Sequence, residues 1–104
     1  MASEKFQLNL QFANRGPESA EGLMIAEGLL REELKLGQVE GNDVASSGAD
    51  LFIVTEQPQA CLRAALTLLR RIQVLPIAAS YQVLAHDAQG RVAPTGANLP
   101  LPIA

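Results

Sequence analysis

An α+β fold, an antiparallel sheet with two helices on one face, is predicted by three features of this sequence. Lys5 to Phe12 alternates strictly, Phe6, Leu8, Leu10 and Phe12 against Gln7, Asn9 and Gln11, which is the two-residue period of a strand covered on one side. Residues 19–36 and 58–73 instead repeat apolar side chains at the helical period. Between them Leu51-Phe52-Ile53-Val54 is continuous and rich in β-branched residues, as a strand in the middle of a sheet requires.

The elements follow in chain order. Asn14-Arg15-Gly16-Pro17 breaks the first alternation, and Pro17 or Ser19 opens a helix with Glu18 and Glu21 in its first turn, favourably placed against the dipole. Turning about 100° per residue gathers Leu23, Ile25, Ala26, Leu29, Leu30 and Leu34 into one arc, with Glu27, Arg31 and Lys35 opposite. Gly37 then stands where a left-handed helix terminator is expected. Residues 38–45 read as a strand interrupted at Gly41-Asn42, either a short hairpin or a bulged edge strand. Ser46-Ser47-Gly48 turns the chain into the apolar strand, bounded by Asp50 and Thr55.

Pro58 occupies the first position of the second helix, and Pro76 prevents its continuation beyond about residue 73. Cys61, Leu62, Ala65, Leu66, Leu68, Leu69 and Ile72 share one arc of it; Gln59, Arg63, Thr67, Arg70 and Arg71 share the other. Residues 78–86 form a further strand, and Asp87-Ala88-Gln89-Gly90 is a turn that returns the chain through Arg91 and Val92. Residues 94–104 are an extended, proline-bearing tail in which Leu99, Leu101 and Ile103 alternate with Pro100 and Pro102, a pattern an edge strand tolerates. The order strand, helix, strand, strand, helix, strand resembles the ferredoxin-like βαββαβ sandwich, here with an added C-terminal hairpin and tail. The resemblance is to a fold alone, and that fold hosts many unrelated functions.

At 104 residues the chain accommodates one domain with its own core. Eight Lys and Arg against eleven Asp and Glu leave a net charge of −3, and only four aromatic residues are present; a nucleic-acid partner is therefore not expected. The start of the chain lacks a basic, apolar leader, no apolar run approaches membrane-spanning length, and the single cysteine precludes an internal disulfide. A cytoplasmic setting without membrane attachment is the corresponding expectation.

No residue pattern announces chemistry. His86 is the only histidine and Cys61 the only cysteine, so multi-imidazole metal sites are excluded within one chain and no metal or cofactor is expected. Cys61 lies in the middle of an apolar arc, as a small buried hydrophobe does. Gly22 and Gly28 fall inside a helix, where close packing is a better explanation than a phosphate cradle. Glu33 sits near the first helix's apolar arc and is expected to reach water at a fraying last turn, the alternatives being an arginine partner or a pocket.

Interest therefore falls on surfaces. If the phenylalanines and leucines of the first strand face the helices, Gln7, Asn9 and Gln11 line the opposite face, joined there by either Leu51 and Ile53 or Phe52 and Val54; Tyr81 and His86 are grouped with this face as candidate ligand contacts. Arg63, Arg70 and Arg71 form a candidate partner-binding face on the second helix. The favoured reading is a small non-catalytic binding or accessory protein that self-associates, as a homodimer, through the open sheet face. The alternatives are a cofactor-free enzyme with a pocket at that face of the dimer, and an inhibitor or chaperone of another protein.

Overall fold

The alternation of the first strand governs the assembled chain. The computed structural model describes residues 5–13, 17–45, 48–86, 89–90 and 92–103, with the side chains of 17–20, 45 and 86 outside the description. The turns expected at Asn14 to Gly16, at Ser46-Ser47 and at Asp87-Ala88, together with Arg91, also lie outside the described residues.

Strand β1 (Lys5–Phe12) is followed by helix α1 (Pro17–Glu33), β2 (Gly37–Ala45), β3 (Gly48–Thr55), α2 (Pro58–Ile72), β4 (Ala78–His86) and β5 (Val92–Leu101). The strands form one five-stranded sheet in the order β2-β3-β1-β4-β5, antiparallel throughout. The fold is thus α+β, an antiparallel sheet with two helices. Leu8 pairs with Ile53 and Leu10 with Leu51, and all four are fully buried. They join Leu23, Ala26 and Leu30 of α1 and Cys61, Leu62, Ala65 and Leu69 of α2 in one core. Residues opposite each other across a ladder share a face, so this register puts both helices on the side of Leu8 and Leu10.

Two expectations about α1 are corrected. The helix ends at Glu33, and Gly37 opens β2 instead of closing α1 in a left-handed turn. The physical demand at Gly37 is close approach: a Cβ there would lie 2.7 Å from Cγ2 of Ile53 and 2.8 Å from Sγ of Cys61. Ile25, expected in the apolar arc, is 57% exposed, because the covered stripe is the narrower row Leu23, Ala26, Leu30 and Leu34 and Ile25 lies about 200° round from Leu23. Gly22 faces Val74, whereas Gly28 has open space where a side chain would go.

The remaining ends are closed locally. Arg31 donates to Glu27 and to the Val39 carbonyl, and Asn42 donates to Glu27, which ties α1 to β2 beside a register shift between Val39 and Gly41. The bulged-edge reading of β2 is the one realised. α2 ends in a left-handed Gln73 whose N–H points back to the last turn. Residues 94–101, read from sequence as part of a tail, form most of β5, where Pro94 and Pro100 sit on an edge strand with one unpaired side. Among the described residues no helix is long and apolar enough to cross a membrane.

The two glycines predict substitutions of opposite sign. Gly28→Ala removes backbone freedom from a helix interior without a steric conflict and should stabilise the fold by about 0.5–1 kcal/mol. Gly37→Ala must displace buried Ile53 and Cys61 and should destabilise it by about 1–3 kcal/mol. Urea denaturation of the two variants beside wild type checks both signs.

Candidate functional site

The open face of the sheet is built by the same alternation that builds the core. Across β1, Gln7 stands between Val54 and Gln82, Asn9 between Phe52 and Ser80, and Gln11 between Asp50 and Ala78. Phe52 and Val54, not Leu51 and Ile53, therefore share this face with the amide row. Phe52, Val54, Gln82 and Leu84 are half-buried, and no described element covers them. Gln82 donates through Nε2 to the Gly96 carbonyl at 2.8 Å, fixing β5 where its pairing with β4 is irregular.

Asn9 stands out at the centre of this surface. Its Oδ1 is shielded from solvent by its neighbours and accepts no hydrogen bond, the one such side-chain atom among the described residues. A buried acceptor left unpaired costs about 1–3 kcal/mol. At one end of the face Asp43 and Asp50 are directly opposed across β2 and β3, an unfavourable like-charge pairing. Lys5 stands at the other end, opposite Leu84.

Tyr81 does not belong to this surface. It pairs with Leu8 and packs its ring edge-on against Phe6, centroids 5.6 Å apart, on the helix side of the sheet. The sequence grouped it with Gln7, Asn9 and Gln11 because a lone aromatic in a strand without clear alternation leaves its face undetermined. A substrate pocket combining Tyr81 with the amide row has no geometric basis, since the sheet separates them. His86 closes the β4 ladder opposite Val92; its side chain lies outside the described residues.

The three arginines of α2 likewise separate. Arg71 turns toward α1 and meets Glu33 at 3.4 Å, both well exposed, an ion pair of little energetic weight. Glu33 thus reaches water and has an arginine partner together. Arg63 and Arg70 lie on the opposite flank, where the helix and the end of the chain enclose a groove of about 580 Å³. Gln59, Arg63, Thr67 and Arg70 form one wall, Leu101 and Ile103 the other, over Leu62 and Leu66. Neither Arg63 nor Arg70 has a carboxylate partner among the described residues. A smaller hollow of about 290 Å³ shares Gln59 and Arg63 with it and continues past the start of α2 to Phe6 and Tyr81. The arginines are visible in the sequence but the groove is not, because its second wall is the chain end brought back beside α2.

Cys61 is fully buried beneath Gly37 and Thr55. Burial pushes its thiol pKa up, and the Thr55 hydrogen bond offsets this only in part. Thr55 itself donates to the Leu36 carbonyl at 2.6 Å and accepts from the Gln57 N–H at 3.0 Å. The thiol is part of the packing and is not an activated nucleophile. Among the described residues no group of His, Cys, Asp and Glu could hold a metal ion.

These features define an α+β protein with two distinctive surfaces, an open sheet face and a groove flanking α2. No family model matches the chain. Searches of the curated proteins and of the solved structures find no match either.

The Cys61 environment predicts a cryptic thiol. Alkylation of the native protein at about pH 8 should run at least about 100-fold slower than in denaturant, because both access and thiolate formation are suppressed. Comparable rates in the two states, followed by mass spectrometry, would contradict the buried placement.

Proposed function

We propose that this protein is a small non-catalytic binding or accessory protein that self-associates by packing the open faces of two sheets together. The observation that carries the reading is the uncovered sheet face itself, on which half-buried Phe52, Val54 and Leu84 lie beside the amide row Gln7, Asn9 and Gln11. Under this reading the architecture is a ferredoxin-like βαββαβ sandwich, the run β2-β3-β1-β4 carrying both helices and β5 widening it by one strand. A reducing, cytoplasmic setting suits its single buried thiol.

The arrangement of charge favours a second copy as the covering layer. A two-fold axis lying between the two sheets, at right angles to β1, sets β1 antiparallel to its equivalent, so the Lys5 end of one copy lies over the Asp50 end of the other, twice. The same operation lays the amide rows Gln7, Asn9 and Gln11 of the two copies against each other. Five strands about 4.8 Å apart and about seven residues long present on the order of 600 Å² per copy. That meets the lower end of the area buried in stable dimers.

Sedimentation equilibrium tests the proposal. Wild type should be dimeric at tens of micromolar, and Phe52→Asp should weaken association at least about 10-fold by burying a charge at the interface. Lys5→Asp should also weaken it, and adding Asp50→Lys to the same chain should restore it by exchanging the charges. A wild-type monomer at about 100 µM, a concentration at which even weak specific dimers populate, overturns the reading.

A further inference from the structure

We propose that the groove along α2 binds an extended acidic peptide segment of another protein, with its carboxylates held by Arg63 and Arg70. In a chain of net charge −3, two arginines without carboxylate partners among the described residues share one flank of a helix and line the same depression. An unpaired guanidinium beside an apolar wall is poised for a carboxylate, which it grips through two parallel N–H···O bonds. The floor beside the arginines is aliphatic, formed by Leu62 and Leu66, and Leu101 adds to it from the facing wall. The occupant therefore needs apolar side chains between its acids, which distinguishes a peptide from a small free anion.

The spacing sets the register of the acids. Arg63 and Arg70 are seven residues apart on α2, or about 10.5 Å along the axis. In extended chain only residues an even number apart share a face, and four residues span about 13 Å, so acids at positions i and i+4 reach both arginines through the length of the side chains. The start of α2 adds to the attraction. Its first turn holds no acidic residue and Gln57 provides no side-chain cap, while the smaller hollow leads from Arg63 directly past Pro58 and Ala60. The positive end of the helix dipole thus faces the same channel. Arg71 takes no part, being turned to Glu33.

Fluorescence anisotropy with a labelled, end-blocked peptide Glu-Leu-Leu-Leu-Glu provides the test. The full chain should bind it saturably in low salt, and Arg63→Glu and Arg70→Glu should each weaken binding at least about 10-fold, as loss of a charge-assisted bidentate contact does. Arg71→Glu, outside the groove, should leave affinity within about two-fold, which separates a local contact from general charge. A peptide of the same composition with adjacent glutamates should bind at least about 5-fold more weakly, since only one acid then reaches an arginine. Circular dichroism confirms folding, and Arg63→Gln and Arg70→Gln replace any reversal that unfolds. No saturable binding at about 1 mM probe, or equal affinity for wild type and both groove reversals, overturns the proposal. It stands apart from the dimer reading: Phe52→Asp should bind the peptide unchanged, and a monomeric wild type that binds it would overturn self-association alone.

Discussion

Leu8 opposite Ile53 and Leu10 opposite Leu51 form the contact on which the remainder of this molecule depends. All four are fully buried under both helices, and burial of each contributes about 1.5–3 kcal/mol. Because side chains alternate with period two, a one-residue slip of β1 on β3 would carry this whole set to the open face. The register is therefore held far more tightly by the core than by any surface contact. It also dictates the other face, placing Phe52 and Val54 beside Gln7 and Asn9 and leaving the Asn9 acceptor among them.

The sequence reveals those parts of the fold in which one residue period dominates. In β1 four apolar residues alternate with three amides, so both the strand and its two faces are legible from the residues alone. In α2 the arc from Cys61 to Ile72 is equally clear, and Pro58 marks its start. Legibility fails where a residue's role is set by a distant neighbour. Gly37 resembles a helix terminator from its local context, yet its small size is required by Ile53 and Cys61. Ile25 counts as core only when the apolar arc of α1 is drawn too wide; at about 200° from Leu23 it lies off the stripe that the helix buries. Tyr81 takes its face from pairing with Leu8, and residues 94–101 become a strand only because β4 offers them an edge.

The edges of the sheet help to explain why its faces carry the functional interest. β2 is interrupted by a bulge and exposes Glu40 and Asp43, and β5 contains Pro94 and Pro100. Bulges, charges and prolines on edge strands all discourage further strand addition. Growth of the sheet sideways into a second chain is thereby disfavoured at both ends. The open face has no comparable defence at its centre, where half-buried Phe52 and Val54 flank the amide row; its charges are confined to the two ends.

The groove is a geometric consequence of the same layered arrangement. Helices packed side by side on a sheet are about 8–10 Å apart, and strands about 4.8 Å apart, so two helices cover about four strands. This sheet has five. The extra strand is β5, which is exposed along nearly its whole length and leaves Leu99 46% exposed. Only its end is drawn under α2, through Leu101 and Ile103, and the step between that helix flank and the uncovered strand is the depression that Arg63 and Arg70 overlook. An outer helix flank would ordinarily display such arginines to bulk water. Here Arg63 and Arg70 remain exposed, but the excess width of the sheet sets an apolar wall beside them, and that juxtaposition is what the proposed acidic, apolar peptide would read.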